Sequence, residues 1–460
     1  MTTFEVHRGE IDGVPTFWAD PPAGPFIGGL MFRVGRSDEP PAWGGITHLV
    51  EHLALAPIGQ QSYDHNGSVE PNRTLFHALG DADDVTSFLH ALTAGIRSLP
   101  LDRLIMERRI LAQEEAQSNP SVGGLLRLLR FGMTSHGQIG EDQAGLGWLG
   151  PDTVAAWAQN WFTRQNAALF LSGPPPAGLR IDLPDGERRP IAPIDELDDV
   201  IYPAHAVEQI PGISLSMRID RAIQSTVTGA IMERRARQRL RFERGLVYDV
   251  HSDYDVLSGT EAMIVIGSDC PPASVAEVST VMLGVLDELA SDGPAPDELR
   301  IEAEGFRRQF TDPAARVGYL DRLGANLLFG GNVPDPDEVA EKRSNLRPAD
   351  IAEGLHDALD SLLSVAAADP PDSRFHRYPD RVAAVAGTEY RPAGRYLPGR
   401  GPKERLVCGP DGVSLVGGGD TLSVRFADTV LLQHYSGDAR VLWDRNGQRI
   451  GIRAADWRDG

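Results

Sequence analysis

The five residues His48-Leu49-Val50-Glu51-His52 place two imidazoles four positions apart, with a carboxylate beside the second. In a helix, positions i and i+4 share a face, and Glu51, three after His48, stands on the same side. Two neutral ring nitrogens can then meet at one metal ion, while the carboxylate holds a water next to it. The order H-x-x-E-H inverts the commoner H-E-x-x-H. Two histidines do not complete a hydrolytic metal site, which takes three protein ligands and one open position. The third must be a His, Asp or Glu on another element.

A strongly helical stretch at 101–117 offers Glu107, Glu114 and Glu115. Glu107 and Glu114 are two helical turns apart and share a face, so one can ligate while the other holds a ligand histidine from behind. Glu115 reads as a solvated neighbour. On these residues the first 370 or so positions resemble the pitrilysin and mitochondrial processing peptidase family, which pairs H-x-x-E-H with a downstream E-x6-E. The segment Glu107-Arg108-Arg109-Ile110-Leu111-Ala112-Gln113-Glu114 matches that second motif. The resemblance implies one Zn2+ per chain, held by His48, His52 and Glu114, with Glu107 behind them and Glu51 as general base. Glu114 lies 62 residues beyond His52, a shorter gap than is usual in the family, and the shortening falls in ALAPIGQQSYDH.

Two further segments carry the resemblance. Asn66-Gly67-Ser68-Val69-Glu70-Pro71-Asn72-Arg73-Thr74 is similar to an N-A-x-T-x4-T edge strand, so Asn66 and Thr74 are expected to bind substrate. Gly67 and Val69 depart from that pattern, and Pro71, lacking an N–H, is expected to interrupt the strand. Leu240 to Tyr248 resembles an R-x6-Y segment, so Arg241 and Tyr248 are expected to position the peptide and its oxyanion. His65 and His77 read as loop or sheet-face residues, and His136 as a candidate for the chamber wall. The family's half-size bacterial members are dimers of four units around a chamber. That implies a peptide substrate and a homodimer, or a heterodimer with a related subunit, with Arg241 and Tyr248 in cis or in trans. Two alternatives stand beside this: a non-catalytic core or scaffold subunit of the same fold, and the active half of a heterodimeric peptidase.

Composition limits the other classes. The 460 residues are 41% apolar, enough for sizeable cores. A net charge of −21 argues against nucleic acid as a partner and is compatible with cationic peptides. Cys270 and Cys408 are too few for a disulfide framework or a Cys-based zinc site and read as small buried apolar residues. No apolar run reaches about 18 residues and the N-terminus has no signal-peptide pattern, so no membrane span is expected. The only lysines, Lys342 and Lys403, stand among many arginines, which suggests a GC-rich bacterial source and a cytoplasmic setting.

The expected fold class is α+β: two homologous units of antiparallel sheet packed with helices, then a small all-β domain. The boundaries are a metal-bearing unit at 1–175, a linker at 176–200, a second unit without the metal motif at 201–368, a linker at 369–402 and the β-domain at 403–460. Strands are expected over 75–79, 167–172, 213–219, 247–255 and 262–266. Helices are expected from about Thr47 and over 84–98, 101–117, 222–241, 272–290, 296–309 and 348–366. Six short alternating runs between GPDG, GGGD, SGD and NG turns suggest a terminal barrel of six or seven strands.

Overall fold

The apolar run Phe26–Phe32 becomes a central strand of the first of two six-stranded sheets in the computed structural model, which describes residues 4–20, 24–117, 121–140, 143–370, 372–379, 383–393, 404–417 and 420–459. This sheet comprises β1 (His7–Ile11), β2 (Val14–Trp18), β3 (Phe26–Phe32), β4 (Asp64–Val69), β5 (Thr74–Gly80) and β6 (Ala167–Leu171), in the order β1-β2-β6-β3-β5-β4. Helices α1 (Ile46–Leu55), α2 (Ala82–Arg97), α3 (Leu104–Gln117), α4 (Val122–Phe131) and α5 (Pro151–Trp161) belong to the same part of the chain.

The second sheet comprises β7 (Ala204–Val207), β8 (Ile213–Asp220), β9 (His251–Val256), β10 (Glu261–Ser268), β11 (Leu363–Ala366) and β12 (His376–Arg377), in the order β12-β7-β11-β8-β10-β9. Its helices are α6 (Ile223–Arg237), α7 (Val275–Asp292), α8 (Pro296–Gln309), α9 (Pro313–Leu328), α10 (Pro336–Ser344) and α11 (Pro348–Leu359). The run β2-β6-β3-β5-β4 recurs as β7-β11-β8-β10-β9, with the first pair parallel and the rest antiparallel in both. The expected duplication is therefore one of topology. In the second unit α6 follows β8 where α1 follows β3, but carries no histidine pair.

Several boundaries move. The helix expected over 348–366 ends at Leu359, and Leu363–Ala366 is instead a strand with all four residues buried. It lies between β7 and β8, and a strand buried on both faces has no polar alternation to separate it from a buried helix. Residues 247–250 are not strand; β9 begins at His251. The 66–74 stretch is a hairpin rather than one strand, with Val69 opposite Thr74 and Pro71 in the turn, where it lacks no ladder bond. Residues 176–200 form no helix or strand, yet Leu179, Ile181, Leu183, Leu197 and Val200 are buried.

The terminal β-domain begins earlier than expected. Its strands are β13 (Thr388–Pro392), β14 (Arg405–Gly409), β15 (Gly412–Gly417), β16 (Asp420–Arg425), β17 (Thr429–His434), β18 (Ala439–Asp444), β19 (Arg449–Arg453) and β20 (Trp457–Asp459). They form two sheets, β16-β15-β14-β13-β20 and β17-β18-β19, not one barrel of six or seven strands. Val413, Val424, Leu442 and Ile450 fill the space between them.

Each unit also covers part of the other. Leu126, Leu129 and Phe131 of α4 pack on Leu257, Met263 and Val265 of the second unit. In return Leu320 and Leu323 of α9 pack on Met31, Ala168 and Phe170 of the first sheet. Full burial of each such side chain is worth about 1.5–3 kcal/mol. Arg130, at the end of α4, is fully buried at this junction. It donates to Glu196 Oε1 (2.8 Å) and to the carbonyls of Ser361 (2.7 Å) and Ser216 (3.1 Å), and its guanidinium lies over the Tyr202 ring. Among the described residues no helix is long and apolar enough to cross a membrane.

Removing the Arg130 guanidinium leaves the Ser216 and Ser361 carbonyls without this donor and leaves Glu196 to Arg218 alone. Arg130→Met is expected to lower unfolding stability by about 1–3 kcal/mol in urea titrations, the cost of buried acceptors left without a donor. A loss below about 1 kcal/mol would remove this residue as the tie between the units.

Candidate metal centre

Helix α1 is the support on which the site is built. Ile46, Leu49, Val50, Leu53 and Ala54 are buried, which leaves His48 and His52 on a second face at helical spacing. The helix lacks an ordinary N-cap side chain, because its cap is Gly45 at φ +92°. Glu39 does that work from outside: it is buried and accepts from the N–H groups of Gly45 (2.7 Å) and Thr47 (2.9 Å). Burial pushes the Glu39 carboxyl up to about 7, against the opposing effect of those hydrogen bonds. Thr47 is held again on its side chain, where Trp157 Nε1 donates to Thr47 Oγ1.

Helix α3 packs against α1 and brings two carboxylates. One ring nitrogen each of His48 and His52 and a Glu114 carboxylate oxygen lie within 4.8 Å of one another. Glu114 Oε2 is 3.9 Å from His48 Nε2 and 3.7 Å from His52 Nε2. Donors held at about 2.0–2.1 Å around a tetrahedral zinc are roughly 3.4 Å apart, so the set suits that ion with a small closing movement. Two imidazoles and one carboxylate are also the donor types zinc takes in hydrolytic sites. On its other side His52 Nδ1 faces Glu107 Oε2 at 3.5 Å. Glu107 is itself buried and clamped by Arg103 at 2.7 and 3.0 Å. That is the arrangement in which a carboxylate fixes the orientation of a ligand histidine.

Glu51 Oε2 stands 3.7 Å from both ring nitrogens. Burial first, then the charges of Glu114 and Glu107, push its carboxyl up to about 8. A divalent cation between these groups would oppose all of those influences. His48 moves the other way: burial, then the charges of His52 and Arg36, push it down to about 4, which leaves the ring neutral. Its Nδ1 is buried without a hydrogen bond, as is Gln143 Oε1 beside it in a small recess.

The remaining sequence candidates are dispersed. Asn66 sits on β4, the outer edge of the first sheet. Thr74 is fully buried and donates its hydroxyl to the Val34 carbonyl, so its side chain presents nothing to a ligand. Arg241 and Tyr248 lie on the second unit, with the guanidinium 5.1 Å from the Tyr248 ring centre and 4.0 Å from Asp249. None of these contacts is with the histidine cluster, and Tyr248 is 84% exposed. His65 and His77 are on the β4 and β5 faces; His136 is buried against Phe131 and lines no chamber.

Sequence reading missed four participants. Glu115 is not a bare solvated neighbour, because it accepts the Gln143 N–H and so fixes the segment beside His48. Glu39 and Gln143 reach α1 only through the fold and leave no local signal. Gly67 did leave one, as a departure from the family pattern. A Cβ there would overlap the Glu51 carboxylate, which rests on the β4 backbone.

The comparisons agree with this architecture. A family profile described as "Peptidase M16 inactive domain" matches residues 216–305, which fall in the unit without the histidine motif. An uncharacterized zinc protease of Streptomyces coelicolor is 22% identical over 415 residues, covering 77% of this chain and 87% of that protein. A protease from Helicobacter pylori has a similar structure at 12% identity, with a TM-score of 0.65 over 79% of this chain and 99% of that one. Pitrilysin matches at 15% identity and a TM-score of 0.61, over 80% of this chain and 47% of pitrilysin.

Glu39 supplies a pH test of how α1 is held. With the folded-state value raised above the ordinary 4.5, folding binds a proton, and stability from this group falls as pH rises from about 4.5 to about 7. The stability lead of wild type over Glu39→Gln, read by urea unfolding, is therefore expected to shrink across that window. A lead that grows there would show that the fold favours the ionised form.

Proposed function

We propose that this chain, a member of the pitrilysin family, hydrolyses peptide bonds with one zinc ion held by His48, His52 and Glu114. The observation that carries the reading is the convergence of these donors with Glu51 beside them and Glu107 behind His52. Zinc bound there supplies Lewis acidity toward a peptide carbonyl and makes a water easier to deprotonate. Glu51 takes the proton of the attacking water on its carboxylate and delivers it to the leaving amine. Glu107 keeps the His52 ring turned toward the cluster, and the Arg103 clamp keeps Glu107 in place. An extended substrate adds to the exposed edge of β4, where backbone groups recognise it with little regard to sequence. The acidic body favours cationic peptides.

Arg241 and Tyr248 act on the zinc site of a second chain, as a hypothesis of this reading. Their exposure supports it, as does the fact that the chain spans 47% of pitrilysin. Exposed Ile105, Met106 and Ile110 on α3, and Phe242 beside Tyr248, supply apolar surface for such a partner. A non-catalytic scaffold has no use for the retained donor set. The partner is a second copy or a related subunit, and co-purification of a similar chain would identify the latter. The two unpaired cysteines suit the bacterial cytoplasm.

Two measurements test the proposal. Glu51→Gln is expected to keep one zinc per chain and to lose about 100- to 10,000-fold in peptide cleavage, whereas His52→Ala loses the metal. No zinc in wild type and equal cleavage by Glu51→Gln would overturn it. Mixing Glu51→Gln with Tyr248→Phe chains is expected to restore activity, since one site in a mixed dimer then has both halves intact. Absence of recovery despite subunit exchange would refute action in trans.

A further inference from the structure

The two histidines of α1 are supported unequally. Nε2 of each ring faces the acid cluster, so Nδ1 is the atom that carries the proton when Nε2 takes a metal. The Nδ1 of His52 has Glu107 behind it at 3.5 Å. The Nδ1 of His48 is buried and has no hydrogen-bond partner among the described residues. A buried N–H without an acceptor opposes metal binding, because that tautomer is the one the metal needs.

Gln143 is placed to supply the acceptor. It lines one recess of about 20 Å³ together with His48, Gln138, Gly45 and Met133. That is room for about one water molecule and not for a substrate, so the polar groups in it serve the ring. Gln143 Oε1 is itself buried without a partner. It lies over the first turn of α1, since a Cβ at Gly45, three residues before His48, would stand 2.7 Å from it. Burial and the charges of His52 and Arg36 push the His48 ring toward its neutral form, and the Gln143 side chain opposes them.

The backbone at Gln143 is held from both sides. Glu115, next to Glu114 on α3, accepts the Gln143 N–H, and the Gly145 N–H donates to the Gly44 carbonyl (3.0 Å). From the other side comes the C-terminal β-domain. Gln433 of β17 is buried; it donates to the Ala144 carbonyl (3.0 Å) and accepts from Trp443 Nε1 of β18 (2.9 Å). Met133, another wall of the recess, packs with Leu431 and Trp443, and its N–H donates to the Arg445 carbonyl (2.6 Å).

We propose that Gln143 is a positioning residue for His48, accepting its Nδ1–H as Glu107 serves His52, and that the C-terminal β-domain holds it there through Gln433. The inference rests on the zinc reading and gives the β-domain a part in the site.

The test measures the zinc affinity of the full chain by competition with a chromophoric chelator, with the Tm of the metal-free protein as a check on folding. Gln143→Met keeps the side chain's length and removes the acceptor, and is expected to weaken zinc about 10- to 100-fold. Gln143→Glu keeps an acceptor and is expected to bind within about threefold of wild type, whereas a purely structural role would make the added charge the worse change. Gln433→Met frees Ala144 from outside the cluster and is expected to weaken zinc by a smaller factor. Gln138→Met, which removes the other unbonded carboxamide of the recess, is expected to bind as wild type. A wild type that binds no zinc brings down the zinc reading and this inference together. A wild type that binds zinc, with Gln143→Met equal to it, overturns the positioning role alone. So does Gln143→Glu or Gln138→Met binding as weakly as Gln143→Met. Gln433→Met equal to wild type removes the β-domain from the proposal.

Discussion

Arg130 sits fully buried where three parts of the chain meet, and its charge must be met there by Glu196, two carbonyls and the face of Tyr202. That requirement fixes how α4 enters the second unit. With α4 set, Leu126 and Leu129 cover the second sheet, and α9 returns the favour across Met31 and Phe170. Neither sheet is closed by its own segment alone. A buried ion pair of this kind is weak as a source of net stability, because desolvation offsets most of its attraction. Its effect is on register, since few placements of α4 satisfy all of its acceptors at once.

The candidate metal centre applies the same logic with the opposite sign. Glu51, Glu107 and Glu114 are gathered around two imidazoles, and Arg103 clamps Glu107 from behind. Burial raises Glu51 and lowers His48, so both groups are drawn toward their neutral forms, the carboxyl protonated and the imidazole not. Acid clusters alone are common on protein surfaces. Here the histidines are fixed on a helix whose apolar side is buried, and the geometry is set before any ligand arrives.

Much of this was legible because it is local and periodic. The spacing of His48 and His52, and of Glu107 and Glu114, reads directly as shared helix faces, and the two helices form where the spacing puts them. The repeated order of strands and helices was visible without residue-level similarity, since topology survives where sequence does not. What failed has physical causes. Leu363–Ala366 is apolar throughout, so its partners decided between helix and strand. Residues 176–200 look like a linker by composition, but the Arg33 guanidinium bonds to the carbonyls of Arg189 and Pro190 and draws them onto the core. Glu39 and Gln143 act across turns of chain that carry no period, and only folding brings them to α1.

The contact between Gly67 and Glu51 ties two properties that evolution would gain from adjusting separately. The β4 backbone is the surface an added strand would join, and it is also the wall against which the Glu51 carboxylate rests. Any side chain at position 67 displaces that carboxylate before it touches anything docked on the edge. His65 and Val69, which alternate with Gly67 along β4, carry no such tie to Glu51. In this chain, then, the place of Glu51 and the absence of a side chain at position 67 are one constraint.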